Sequence, residues 1–291
     1  MSTALRDRGA RAPAVGRAPD GVDWAGSAAF FGMHAACLLA LKTGFDARAA
    51  LAGFALYWIR MFAITAGYHR YFSHRSYRTG RLFQFLLGWV GASSAQKGPL
   101  WWAAHHRRHH AASDQAGDIH SPVTRSFWWA HVGWVLSARY DATDYEAVPD
   151  LTRYPELVWL NRFHWVPPAA LAVGLFACGG LPWLVWAFFV STVVLYHGTF
   201  TINSLAHVFG SKRFETGDES RNNLWLALIT MGEGWHNNHH RYPASERQGL
   251  FWWELDASHA VLRGLSRLGV VRDLREPPAE IYREAAGAAR A

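Results

Sequence analysis

Two pairs of apolar runs, each pair joined by only a few residues, constrain this chain more than any other feature. Trp24 to Leu41 is apolar apart from Ser27 and His34, close to the roughly 20 residues that a bilayer-spanning helix needs, and Lys42-Thr43-Gly44 ends it. Ala47 to Tyr68 follows at once, with Arg48 at its start and Arg60 inside it. The second pair is Trp165 to Cys178, which carries a Pro167-Pro168 pair near its start, and Trp183 to about Ile202. Gly179-Gly180-Leu181-Pro182 supplies the turn between them. Connections this short fold each pair back on itself. The expected fold is therefore an all-α membrane protein with four transmembrane helices (24–41, 47–68, 165–178, 183–202) in two hairpins. A mean hydropathy near zero keeps a soluble protein with buried helices in competition, but two hairpins of near-spanning length outweigh it.

The segments outside these runs, 69–164 and 203–273, read as a cytosolic helical cap, so that 24–273 forms a single domain. Gly80 to Gln96 and Phe127 to Ala138 contain apolar stretches too short to span, expected as helices packed on the protein or lying in the interface. Four spans put both termini and every histidine cluster on one side. The opposite loops carry little charge, which makes the arginine-rich side cytoplasmic and the chain an integral, multi-pass membrane protein. Residues 1–23 are expected as a disordered basic arm, with Arg6, Arg8, Arg11 and Arg17 but no signal-peptide pattern. Leu255, Val261, Leu262, Leu265 and Leu268 suggest an amphipathic helix, and 274–291 a solvated tail.

The formal charge of +7 raises the question of nucleic acid, but no basic run interleaves with polar readers. The 16 Trp and 17 Phe fit a lipid bilayer as partner instead, and no nucleic acid is expected. Cys37 and Cys178 both lie inside apolar segments, where they supply neither a disulfide framework nor a thiolate site. Any metal must be held mainly by nitrogen.

Nitrogen is plentiful. In Gly232-Glu233-Gly234-Trp235-His236-Asn237-Asn238-His239-His240, helical steps of about 100° put His236, His239 and His240 at about 0°, −60° and +40°, an imidazole-lined face. His106, His109 and His110 repeat the spacing. Adjacent imidazoles repel one another when protonated and gain little from packing when neutral; a metal resolves that conflict. His69 and His74 stand five apart, about 140° on an α-helix, so one of them must sit where the helix ends or unwinds. Asn203 and His207, four apart, share a face. With His207 the candidates number nine. One metal takes at most about six ligands, so nine imply two metals. Imidazole alone does not choose among Zn, Cu, Fe and Ni. No His-Glu-x-x-His helix of a zinc protease is present. A site at the end of an apolar bundle favours redox chemistry on a lipid over hydrolysis.

These residues resemble a known family. His69-Arg70-Tyr71-Phe72-Ser73-His74, His106-Arg107-Arg108-His109-His110, Asn203-Ser204-Leu205-Ala206-His207 and the segment 232–240 are similar in order and spacing to the boxes of membrane fatty acyl desaturases, stearoyl-CoA (Δ9) type, bacterial. The flanks Ser76-Tyr77, His131-Val132-Gly133-Trp134 and His207-Val208-Phe209-Gly210 also resemble that family, over about residues 28–270. The resemblance implies a non-haem di-iron centre (two Fe2+) held by His69, His74, His106, His109, His110, His207, His236, His239 and His240, with Asn203 acting through a water. It implies O2-dependent formation of a cis double bond, expected at Δ9, with two electrons from a separate small haem cytochrome or ferredoxin and its reductase. Gln96, Trp102 and Thr199 match residues that line the kinked acyl tunnel. Ala104-His105 stands where the acyl-CoA enzymes commonly have Arg-Asp, and Lys97 replaces an Asn. The fatty acyl substrate is thus an acyl-CoA or an acyl-lipid, with a carrier-protein thioester also open.

His34, His105, His120, His131, His164, His197 and His259 read first as hydrogen-bonded packing histidines. His105 points about 100° away from His106, toward a supporting or headgroup role. Asp118 and His120 are equally placed to orient ligands or to sit in solvated loop, and Arg107 and Arg108 to face solvent or lipid phosphate. The rival functions are a di-iron membrane hydroxylase or alkane monooxygenase and, from another class, a histidine-rich metal transporter. A transporter would place its ligands near the bilayer midplane, whereas these cluster beyond the span ends.

Overall fold

In the computed structural model, which describes residues 20–288, the chain is mostly helical. Helix α1 (Ala28–Thr43) stops where Gly44 takes φ 69°, and Asp46 starts the next helix by accepting hydrogen bonds from the Arg48 and Ala49 amides at 2.9 and 3.0 Å. That helix, α2 (Ala47–Ser73), runs past the expected end at Tyr68. Then come β1 (Arg78–Thr79), α3 (Arg81–Ala92), α4 (Pro99–Ala111) and α5 (Pro155–Arg162).

The apolar stretch Val166–His207 breaks at Gly179 and Gly180. Gly180, at φ 65°, adopts the left-handed conformation open to a residue without Cβ, and the chain doubles back as α6 (166–178) and α7 (181–203). Leu171, Ala172 and Leu175 on α6 pack against Ala187 and Phe188 on α7. They could not meet in a straight helix. Met33, Ala52 and Leu56 join the same cluster, so α1, α2, α6 and α7 pack together. Inside that contact the Arg60 guanidinium is buried and donates to Ser191 Oγ at 2.5 Å and Thr192 Oγ1 at 2.7 Å, tying α2 to α7.

Two helical stretches, Ala47–Ser73 and Val166–His207, are long and apolar enough to cross a bilayer; Ala28–Thr43 is shorter. Their outward faces carry exposed Leu51, Phe54, Ile59, Val173, Phe176 and Val194, a pattern opposite to that of a soluble core helix.

The rest of the chain adds α8 (Leu224–Ile229), α9 (His236–Arg241), α10 (Ala257–Arg267), β2 (Val271–Arg272) and α11 (Ala279–Ala288), and part of it packs against the last turns of α2. Tyr68, Phe72, Leu100, Leu157 and Leu262 form its core. In α3, Gln84, Leu87, Gly88 and Gly91 face inward while Leu82 and Leu86 are exposed. The 127–138 stretch is a short turn of helix at Trp129–Gly133.

Two expectations change. Leu262 and Leu265 of the predicted amphipathic helix face the core, but Leu255, Val261 and Leu268 are exposed. The expected solvated tail is helix α11 up to Ala288, with Ile281 and Ala285 buried against Phe214 and Leu250. Its apolar side chains had too little company in local sequence to show that they have a docking face. Residues 1–19 of the expected basic arm, and 289–291, lie outside the described residues. Asp20 pairs with Arg125 at 3.2 Å and Arg139 at 2.9 Å, so the arm's last residues are docked.

Candidate metal centre

The last turns of α2 are wide. From Ala63 to Ser73 the backbone bonds i to i+5, and the His74 amide donates to the His69 carbonyl at 3.2 Å. Widening the turn brings residues five apart onto one face. His69 and His74, which a regular α-helix would hold about 140° apart, therefore stand with ring centroids 4.8 Å apart, at the helix end where one of them is expected to lie. Arg107 caps the end of this helix, donating to the Phe72 and Ser73 carbonyls at 2.8 and 3.0 Å and holding Asp150 with both terminal nitrogens at 2.7 and 3.0 Å. It is a clamp rather than a surface or lipid-facing cation.

The nine histidines fall into two groups. His69, His74, His106, His110 and His239 bring one ring nitrogen each within 4.8 Å of one another; His109, His207, His236 and His240 form the second set by the same measure. Each triad is divided between the two groups. On α4 the i, i+4 pair His106 and His110 faces the first group, while His109 at i+3 faces the second; on α9 the pair His236 and His240 faces the second and His239 the first. The helical geometry explains the split, since i+3 and i+4 lie about 100° apart and straddle two centres.

Within the groups, Nε2 atoms approach as His69 to His239 at 3.1 Å, His74 to His106 at 2.8 Å, His239 to His110 at 3.0 Å and His207 to His236 at 3.0 Å. Two nitrogens each about 2.1 Å from one ion, at right angles, stand about 3 Å apart. The buried Nε2 atoms of His109 and His240 have no partner among the described residues. An ion would supply the missing partner, so these residues fit a pair of metal ions.

The opposite ring nitrogens are held by carboxylates: His109 by Asp118 at 2.9 Å, His207 by Asp114 at 2.8 Å, His240 by Asp218 at 2.6 Å, and His69 by Glu233. An acceptor at Nδ1 fixes the proton there and turns the Nε2 lone pair inward. Burial alone would raise these carboxyls. Instead His69 and Arg70 draw Glu233 down to about 2, and His109 and His240 hold Asp118 and Asp218 well below the usual range. Burial, then the neighbouring imidazoles, pushes His74, His106, His110, His236 and His239 down, favouring the neutral rings that bind metal.

Asp114, Asp218 and Glu233 escaped sequence reasoning because they come from loops with no ligand-like spacing. Asn237 and Asn238 escaped as well. Asn237 Oδ1 accepts from the Arg213 and Phe214 amides, both at 2.8 Å, and Asn238 Nδ2 donates to Glu254 at 3.1 Å, anchoring α9 at both central positions. Gly232 sits at φ 115°, where a Cβ would come within 2.4 Å of Asp256 Oδ1, which explains the glycine before Glu233.

Beside the first group opens a cavity of about 560 Å³. Gln96, Trp102, Thr199 and Asn203, all singled out from sequence, line it together with His105, His106 and His120. Trp102 stacks on His106 at 4.9 Å between ring centroids, and Gln96 Nε2 donates to Thr199 Oγ1 at 3.1 Å. Phe30 and Met33 of α1, Ala172 of α6 and Phe188 of α7 carry the lining down among the apolar helices. A slot of this shape suits an unbranched hydrocarbon chain.

Of the other histidines, His120 lies against His109 with ring centroids 4.2 Å apart and belongs to the surroundings of the second group. His34, His197 and His131 form a hydrogen-bonded string of 3.1 and 3.0 Å that ends on Ser204, and His259 meets Glu246 at 2.6 Å. Both are the packing roles expected for them.

The fatty acid desaturase family model matches residues 47–273, a span that contains all nine histidines. The chain belongs to the fatty acid desaturase family. This desaturase is 34% identical over 276 residues to an sn-2 palmitoyl-lipid 9-desaturase of Nostoc sp., covering 93% of this chain and 96% of that one. It is 37% identical over 258 residues to an sn-1 stearoyl-lipid 9-desaturase of Synechocystis sp. (86% and 79%), and 36% identical over 259 residues to an acyl-CoA C20 Delta5-desaturase of Anemone leveillei (87% and 81%). The desaturase is thus an oxidoreductase that acts on fatty acyl chains. Nothing in these matches supports the monooxygenase or transporter readings.

Proposed function

We propose that this desaturase is a multi-pass membrane enzyme that introduces a cis Δ9 double bond into the saturated acyl chain of a membrane lipid. Both 9-desaturase relatives named above are described as acting on acyl-lipids, and they share most of their length with this chain. At the cavity mouth Lys97 is paired with Asp141, which leaves that cation neutralised rather than offered to the phosphates of CoA. Helices α1, α2, α6 and α7 would be the four spans in two hairpins. The remainder of 24–273 would be the cytosolic cap, with both termini on that side.

Two irons would be held by His69, His74, His106, His110 and His239 on one side and His109, His207, His236 and His240 on the other, with Asn203 acting through a water. When bound and reduced, iron supplies the oxidising chemistry of O2. The overall reaction takes a –CH2–CH2– unit, O2, two electrons and two protons to –CH=CH– and two waters. The protein's own part is positional. Asp118, Asp114, Asp218 and Glu233 keep their imidazoles oriented and neutral at Nε2, while Trp102, Gln96 and Thr199 hold the acyl chain beside His106 and keep water out. The electrons would come from a separate ferredoxin or small haem cytochrome served by its reductase.

The observation that carries this reading is the division of nine imidazoles into two groups, one of which reaches the wall of an apolar cavity through His106. The test is to express the chain in a host lacking unsaturated fatty acids and to analyse each lipid class, with His239→Ala as control. Δ9 monoenes appearing first in glycerolipids and missing from the control are the expected result. Oxygenated products, or monoenes appearing first in the acyl-CoA pool, would overturn it.

A further inference from the structure

A second cavity, of about 350 Å³, shares no lining residue with the first and is bounded by the start of α3, the segment before α5 and the β1–β2 pair. Its walls hold Arg75, Arg78, Arg153, Arg272 and Arg275, against a single carboxylate, Asp150. That carboxylate is already bound to Arg107 at 2.7 and 3.0 Å and is 3.5 Å from Arg75. Arg78 has exposed Asp273 at 3.4 Å, which leaves Arg153, Arg272 and Arg275 without a carboxylate of their own in the lining. Positive charge is therefore in surplus.

Two further observations point to a missing anion. Arg78 and Arg272 face each other directly across the antiparallel β1–β2 pair, an arrangement that like charges disfavour. Gln84, 2% exposed on the cavity's α3 wall, has an Nε2 donor with no acceptor among the described residues. Oxygens of one anion lodged here would relieve both at once. Leu82 and Leu86 on the same helix α3 are exposed, so an apolar surface lies close to the cavity's α3 wall.

We propose that this cavity binds a phosphoryl group, carried by an anionic lipid headgroup or by a soluble phosphate ester. Guanidinium forks match phosphate oxygens with paired, charge-assisted hydrogen bonds. The bound anion would lie one ion pair, Asp150 to Arg107, from the end of the helix that bears His69 and His74.

The test follows thermal unfolding of the full-length, iron-loaded protein in an uncharged detergent. Inorganic phosphate and dioctanoyl phosphatidylglycerol are titrated separately, against sodium chloride at matched ionic strength and dioctanoyl phosphatidylcholine. A saturable rise in midpoint with phosphatidylglycerol alone identifies a lipid headgroup, and a rise with inorganic phosphate identifies a soluble source; either supports the site. Arg272→Gln is expected to leave the unliganded midpoint unchanged or higher, because it removes half of the like-charge pair, and to weaken the titration roughly tenfold. Gln84→Leu is expected to weaken it in the same direction. The proposal is overturned if neither phosphate probe exceeds its control, or if the wild-type response survives undiminished in Arg272→Gln.

Discussion

Arg70 and Glu233 stand 163 residues apart in the chain and meet in the interior, Arg70 Nε donating to Glu233 Oε1 at 3.0 Å while the other carboxylate oxygen meets His69 Nδ1. The same guanidinium donates to the Glu246 carbonyl at 2.7 Å and to Asp256 at 3.1 Å. One buried cation thus joins the segment bearing the first histidine pair to the segment bearing the last triad. Glu233→Gln keeps the shape but leaves Arg70 short of an anion and His69 without its orienting carboxylate. Removing one partner of such a buried pair costs about 3–5 kcal/mol. The expected result is a markedly lower unfolding midpoint together with reduced iron content.

Metal content dissects the two groups. His110→Ala removes a nitrogen only from the first set and His207→Ala only from the second. Each is expected to lower bound iron to about half of the wild-type value and to abolish desaturation. Asp218→Asn leaves every imidazole in place but weakens the grip on His240 Nδ1, and iron affinity is expected to fall about 10–100-fold. Competition with a chelator, read by elemental analysis, checks all three.

The metal-free protein is expected to lose stability in acid in two stages. His74, His106, His110, His236 and His239 are held below their usual range, and burial lowers His240 to about 4 against the pull of Asp218. In the unfolded chain these rings take up protons as pH falls through about 6.5. The unfolded state then binds more protons than the folded one, so stability declines as pH falls below about 6.5, with the His240 contribution lost by about pH 4. Below that, Glu233 contributes. Its carboxylate is favoured in the folded state above the unfolded value of about 4.3, and that contribution is lost as pH falls toward about 2. Unfolding midpoints of chelator-treated protein measured from about pH 7.5 downward trace both stages, and iron shifts the first stage to lower pH because protons and metal compete for the same nitrogens.

Chain length is expected to follow the floor of the acyl slot. Ala172 of α6 lines it next to Phe188 of α7, among the apolar helices. Ala172→Trp shortens the cavity without touching the histidines, so monoene products are expected to move to shorter acyl chains at unchanged iron content. Fatty acid profiles of the expressing host would show it.

Much of this site was legible before any fold was known, and the exceptions share a cause. His236, His239 and His240 declared themselves because a helix converts spacing into direction. For His69 and His74 spacing showed only that the helix must end or unwind at one of them, and the i to i+5 bonding that brings them together is not written in any spacing rule. Asp114 is 93 residues from His207, and nothing local to either marks the pair. The C-terminal helix was missed for a similar reason: Ile281 and Ala285 are buried only because Phe214 and Leu250 are brought to them.

Sequence by itself determined the apolar runs, the turn at Gly179-Gly180 and the choice of nine candidate imidazoles, because apolar run length, glycine conformation and residue type are properties of short segments. Only the tertiary structure decided which imidazole joins which group, which carboxylate holds it, and where the apolar cavity opens beside them. Those are distances between segments far apart in the chain, set by how α2, α4, α7 and α9 pack, and no period within any one of them encodes the distance to another.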